Sequence, residues 1–223
     1  MKFGNVFFDL DGTLTDPREG IARSMQYAIA ELGLPPISAE TLESSIGRPL
    51  RDVFGDFLEE TGSKSVERTE KAVTSYRERF TERGLFENSV HEEVLPLLSS
   101  LLTAGVCLFV VTTKPTVYAE RIIDHFDLTS QFKKVYGSEL DGTRTDKAEL
   151  IKYVLNREGI LPDSTVMVGD RSYDISGAKS NGVKAIGVLW GFGSLQELSD
   201  AGAWKLCGSP GELLEILLKS GGS

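Results

Sequence analysis

The sequence predicts an α/β protein: a doubly wound parallel sheet with a smaller, all-helical block inserted after the first strand. Three observations carry this expectation. Val6-Phe7-Phe8, Val106 to Val111 and Thr165 to Val168 are β-prone apolar runs without polar alternation, the pattern of strands buried on both faces. From residue 90 onward such runs alternate with amphipathic helical segments, the order of a parallel sheet. Residues 17 to 83, by contrast, carry helical periodicity and no strand signal.

Taken in order, the first strand stops at Asp9, and Pro17 to Gly33 follows as a helix. Ile21, Met25, Ala28, Ile29 and Leu32 fall on one face, Pro17 suits the first turn and Gly33 the stop. After Pro35-Pro36 a short helix is expected at Ala39 to Ser45, then a loop at Ile46-Gly47-Arg48-Pro49-Leu50. Further helices are expected from Leu50 to Glu60 and from about Ser65 to Glu82, with Val73, Tyr76 and Phe80 inward. The second half reads as a helix from about Val90 to Ala104, the strand ending at Thr112, a helix near Val117 to Phe126 and a weak strand at Lys134 to Tyr136. A helix at Lys147 to Arg157, the strand ending at Gly169-Asp170, a helix near Ile175 to Ser180, a strand at Lys184 to Leu189 and a helix at Pro210 to Leu218 complete it.

Ligands of such sheets sit beyond the carboxyl ends of the strands. Asp9, Thr112 and Asp170 each follow an apolar run directly, so three polar strand ends are expected on one rim. Asp9 and Asp11 flank Leu10, and extended geometry would send both carboxylates to one side. Two acids that close repel unless a cation is present. A hairpin at Asp11-Gly12 is disfavoured because Pro17 and a helix follow, not a returning strand. An EF-hand loop is excluded by the early Gly12 and the absence of a closing glutamate.

Asp9-Leu10-Asp11-Gly12-Thr13 resembles the opening motif of the haloacid dehalogenase superfamily, whose phosphatase members use the first Asp as nucleophile and the second as general acid and base. Three further stretches support the resemblance in order. Thr112-Thr113-Lys114-Pro115 is similar to the second motif, with the Thr112 hydroxyl and Thr113 N–H as phosphoryl donors; read alone, Thr112 is better taken as a cap of the helix that Pro115 begins. Lys147, in Gly142 to Lys147, aligns with the third and is preferred over Arg144 and Lys152 on its spacing. Gly169-Asp170-Arg171-Ser172-Tyr173-Asp174 matches the fourth, GDxxxD.

The resemblance covers nearly the whole chain and looks closest to phosphoglycolate phosphatase-like and 5′-nucleotidase-like members. It implies a Rossmann-like core at 1–16 and 88–223 with a helical cap at 17–87. It also implies Mg²⁺ held by Asp9, Asp11 through its carbonyl, and Asp170, with Asp174 either a direct ligand or a residue that orients one. The expected reaction is hydrolysis of a small phosphorylated metabolite through an aspartyl-phosphate; a sugar-phosphate mutase or a non-catalytic regulatory protein are the alternatives. Arg48 is either a residue that reaches the substrate or a solvated surface arginine.

Composition bounds the rest. With 223 residues, 40% hydrophobic and 26% charged, the chain is an ordinary globular protein with room for one large core and an insert. A net charge of −9 argues against nucleic acid polymers and anionic membranes as partners. No apolar run approaches the ~20 residues of a membrane span and no signal pattern opens the chain, so a cytoplasmic monomer or homodimer is expected. Cys107 and Cys207 form neither a disulfide framework nor a metal pattern and are expected as buried thiols. His91 and His125 are read as structural or exposed.

Overall fold

The structure, a computed structural model, describes residues 3–46 and 48–219, without the side chains of residues 43 and 44. Gly47, expected in the loop before Arg48, lies outside the described residues. The chain divides into two compact units, Met1–Asp16 with Val90–Ser223, and Pro17–Ser89.

The larger unit is built on β1 (Asn5–Phe8), which the sequence makes apolar on both faces and the fold places mid-sheet. On one side it pairs with β4 (Cys107–Pro115) and on the other with β6 (Thr165–Gly169), both parallel, with Phe7 opposite Phe109 and Met167. Adding β5 (Lys134–Ser138), β7 (Lys184–Val188) and β8 (Lys205–Cys207) gives the order β5-β4-β1-β6-β7-β8, every pair parallel. Short strands β2 (Thr15–Asp16) and β3 (Ser89–Val90) lie at the two ends of the insert. Phe7, Phe109 and Met167 are fully buried, and the Phe7 and Phe109 rings meet edge to face at 5.5 Å. Each such side chain contributes about 1.5–3 kcal/mol by leaving water.

Helices α5 (Val94–Thr103), α6 (Thr116–His125), α7 (Lys147–Glu158), α8 (Ser172–Ser180), α9 (Leu195–Asp200) and α10 (Pro210–Lys219) connect the strands. Leu150, Ile151 and Val154 of α7 and Ile175 and Ala178 of α8 share one buried cluster with Phe7, Phe109 and Met167.

Among its described residues the second unit is helical apart from Ser89 of β3: α1 (Arg18–Glu31), α2 (Ala39–Ser45), α3 (Leu50–Glu60) and α4 (Val66–Arg79), the last widening into a π-helical turn at Phe80–Gly84. Its core is aromatic, with Phe54 edge-on to Tyr76 at 6.1 Å and Tyr76 stacked on Phe80 at 5.2 Å.

Several sequence expectations are corrected. The helix expected over Val90 to Ala104 begins only at Val94, because the His91 N–H is taken by the Leu14 carbonyl. The strand expected to stop at Thr112 runs on to Pro115, through a register shift that lets Pro115 pair with Ser138. The helix expected to reach Glu82 leaves α-geometry at Phe80. Gly84 there meets Gly20 so closely that a Cβ on Gly20 would lie 2.0 Å from the Gly84 carbonyl. Cys107 is exposed, being the first residue of β4; Cys207 is buried. The short edge strand β8 and the six-residue α9 were not expected at all.

Candidate active site

The carboxyl end of β1 is shaped by one tight turn. Asp9 continues the sheet ladder, its N–H on the Val168 carbonyl at 2.9 Å, and the Leu10 carbonyl then accepts the N–H groups of Thr13, Leu14 and Thr15. Gly12 stands at φ +84°, a left-handed conformation that glycine adopts without steric cost. Asp9 is 3% exposed and Asp11 partly so.

Each of the two acids has its own lysine. Lys147, the first residue of α7, is held there by the Asp146 cap, whose side chain accepts the Glu149 N–H at 2.9 Å. Its Nζ donates to Asp9 Oδ1 and to the Val111 carbonyl, both at 2.7 Å, and lies 2.7 Å from Asp174 Oδ1. Burial by itself would lower the Lys147 pKa; Asp174 and Asp9 outweigh it, and the net shift is upward, fixing the ammonium form. Lys114 pairs with Asp11 Oδ2. Burial pushes the Asp11 carboxyl above its ordinary range while Lys114 pulls it back.

Asp170, directly after β6, is fully buried. Thr13 Oγ1 donates to its Oδ1 at 3.2 Å and the Phe192 N–H to its Oδ2 at 2.8 Å. It is not the cap of α8. That helix begins with Arg171 flanking it, and the Arg171 N–H is taken by Asp174 Oδ2 at 3.1 Å, so Asp174 holds the helix start with one oxygen and Lys147 with the other. Burial, followed by the nearby Asp9 and Asp174 charges, raises Asp170 to about 8; burial raises Asp174 to about 7 against the pull of Lys147. Asp9, Asp170 and Asp174 each offer an oxygen within 4.8 Å of the others, and Asp11 Oδ1 is buried with no partner among the described residues. A cluster of buried carboxylate oxygens, two of whose acids are raised by burial, suits a hard divalent cation.

Inside β4, three residues before its end, Thr112 is buried and its Oγ1 accepts the Lys114 N–H at 3.3 Å. The helix-cap reading of Thr112 fails, because α6 starts at Thr116 with Pro115 before it. Thr113 is half-buried, its carbonyl accepting from Ser138 Oγ at 2.7 Å.

The structure thus gathers Asp9, Asp11, Lys147, Asp170 and Asp174 into one charged network, with Thr112 two residues from its Lys114 member. Arg48 belongs to the helical unit, exposed and paired with Asp56 at 2.6 Å. The competitors of Lys147 are accounted for: Lys152 is exposed, and Arg144 pairs with Glu139 while lying over the Tyr153 ring at 4.5 Å. Sequence reasoning did not assign Lys114, Thr13 or the Phe192 N–H. Lys114 had a legible signal, a cation two residues past a strand-end Thr. The Phe192 N–H had none, since any residue but proline supplies one.

The family model of the haloacid dehalogenase-like hydrolases matches residues 6–188. The chain is 45% identical over 217 residues to a 5′-nucleotidase of Pseudomonas aeruginosa, covering 97% of this chain and 96% of that one. It is 37% identical over 188 residues to the tyrosine-protein kinase PtkA of Mycobacterium tuberculosis, covering 84% of this chain but only 62% of the kinase. Among solved structures, a predicted phosphatase from Clostridium acetobutylicum superposes with a TM-score of 0.88 at 38% identity, covering 98% of this chain and 100% of that one. With the β1 acids, the strand-end threonine, the buried lysine and the GDxxxD acids all on one sheet rim, the chain belongs to the haloacid dehalogenase-like hydrolases.

Proposed function

We propose that the protein is a Mg²⁺-dependent phosphatase of small phosphomonoesters, with Asp9 as nucleophile and Asp11 as general acid and base. The observation that carries this reading is the pairing of the two β1 acids with different lysines. Asp9 is anchored through one oxygen by buried Lys147, whereas Asp11 is tied to Lys114 and keeps a buried oxygen without a partner. The likeness to proteins named 5′-nucleotidase and tyrosine-protein kinase supports it, since both names denote phosphoryl chemistry.

In this reading Asp9, the Asp11 carbonyl and Asp170 would hold Mg²⁺, with Asp174 completing the acidic cluster, and the bound ion would supply charge stabilisation for the phosphoryl oxygens. Lys147, the Thr112 hydroxyl and the Thr113 N–H add further positive charge and donors. Asp9 attacks phosphorus in line, the ester bond breaks, and Asp11 gives its proton to the leaving oxygen. Asp11 then takes a proton from the water that cleaves the aspartyl-phosphate, restoring both acids. Substrate selection is assigned to the helical insert at residues 17–87, with Arg48 the first residue to test.

The test is phosphate release from a panel of nucleoside monophosphates, phosphoglycolate and p-nitrophenyl phosphate, with Mg²⁺ and with EDTA. Release that needs Mg²⁺ and vanishes in Asp9→Asn, with far-UV circular dichroism unchanged, is expected. Undiminished release by Asp9→Asn would remove the nucleophile assignment. Interconversion of a sugar phosphate without release would instead identify a mutase.

A further inference from the structure

The segment Trp190-Gly191-Phe192-Gly193, just past β7, reads from sequence as an entrance lining or as packing. Its contacts are with the Asp170 side of the rim. The Phe192 N–H donates to Asp170 Oδ2 at 2.8 Å, and the Trp190 indole Nε1–H donates to the Thr13 carbonyl at 3.1 Å. Thr13 in turn donates through its hydroxyl to Asp170 Oδ1 at 3.2 Å. Asp170, the Gly12-Thr13 turn and the 190–193 segment therefore form a closed ring of hydrogen bonds around one carboxylate.

The glycines show how tightly the ring is drawn. A Cβ on Gly191 would stand 2.4 Å from Asp170 Cβ, one on Gly193 would stand 1.9 Å from the Asp170 carbonyl oxygen, and one on Gly12 would stand 2.3 Å from Asp170 Oδ2. Real Cβ atoms do not approach so closely, so each glycine occupies a place that the Asp170 residue has already filled. Both carboxylate oxygens are met by neutral donors, which orient the group without supplying the positive charge that Lys147 gives to its neighbours Asp9 and Asp174.

We propose that residues 190–193, together with Thr13, are a clasp that holds Asp170 in position for the divalent cation before the ion arrives, and that Thr13 and Gly191 are positioning residues for metal binding. This rests on the reading of Asp170 as a cation ligand given above. Groups that orient a ligand in this way typically control metal affinity by about 10–100-fold when removed.

The experiment is Mn²⁺ binding to the full-length protein, followed by the electron paramagnetic resonance of the free ion, with melting of the EDTA-treated protein alongside. Thr13→Val and Gly191→Ala are expected to weaken Mn²⁺ binding by about tenfold or more, while Thr13→Ser, which keeps the donor, stays within about twofold of wild type. A merely structural role would lower the metal-free melting temperature and leave the affinity of the folded fraction unchanged. Wild-type affinity in Thr13→Val would overturn the clasp, and that variant serves even where Gly191→Ala does not fold. Absence of Mn²⁺ binding by the wild-type protein would overturn the cation site itself, a result distinct from failure of the clasp alone.

Discussion

Replacing Lys147 by methionine keeps the length of the side chain and removes its charge. In the wild type the ammonium lies 2.7 Å from Asp9 Oδ1, Asp174 Oδ1 and the Val111 carbonyl, and the side chain is 1% exposed. Methionine offers no donor, so two buried carboxylates and a carbonyl lose their shared partner. Breaking a buried ion pair from one side costs about 3–5 kcal/mol. At about 2–4 °C per kcal/mol for a chain of this size, the melting temperature should fall by about 6–20 °C. The loss has a pH signature. Without the ammonium, protonation is what is left to relieve Asp174, which burial already raises to about 7, so the variant should be hurt most at pH 8 and least at pH 5. Thermal unfolding in EDTA, followed by circular dichroism at both pH values, reads this directly. A drop of less than a couple of degrees at pH 8, or a larger drop at pH 5 than at pH 8, would refute the assignment of Lys147 as the counter-charge of the site.

Four further outcomes are expected. In EDTA-treated wild type, Asp170 (about 8) and Asp174 (about 7) hold protons in the fold that the unfolded chain releases near the ordinary carboxylate value of about 3.9. Their contribution is therefore fully present below that value and is lost as pH rises through 7 to 8; a melting temperature that climbs over this interval would contradict it. Added Mg²⁺ should restore more stability at pH 8 than at pH 6. Lys114→Met removes the charge that favours ionised Asp11, so the limb of the pH–rate profile belonging to Asp11 should move to higher pH; a downward shift would exclude Lys114 from that role. Asp11→Asn should lose more activity as the leaving group becomes more basic, and a deficit independent of leaving-group pKa would remove Asp11 as the acid.

What the sequence made legible follows a physical rule. Strands such as β1, β4 and β6 are read easily because burial on both faces demands an unbroken apolar run, and the acids that end β1 and β6 stand out against it. Edge strand β8, only Lys205–Cys207, carries no such demand and leaves no trace. Lys147 could be chosen among its neighbours because a helix start at the right spacing constrained it. The partner of Asp11 was harder to see. Extended geometry predicts only that the Asp9 and Asp11 carboxylates project to one side; it gives no hint that, after the turn with Gly12 left-handed, Asp11 pairs with Lys114 while Asp9 takes Lys147. The clasp on Asp170 was least legible of all, since backbone N–H groups are common to nearly every residue and close approach shows in sequence only as glycine.

The charges around the site account for the kind of ion it calls for. Asp9, Asp170 and Asp174 bring three negative charges when ionised and Lys147 one positive charge, while Lys114 and Asp11 neutralise each other. Two negative charges are left in a buried space, and a buried site does not hold them unrelieved. Burial first, and the neighbouring carboxylate charges after it, raise Asp170 and Asp174 to near or above neutrality, so that without a cation protons supply the balance. A divalent ion can displace both protons and leave the site neutral, whereas a monovalent ion leaves one acid protonated or one charge unrelieved. Binding should therefore release protons and strengthen with pH through the range where these two acids titrate. A proton release near zero on Mg²⁺ addition at pH 6.5, measured by calorimetry in two buffers of different ionisation enthalpy, would show that the acids are already ionised and that the balance is struck elsewhere.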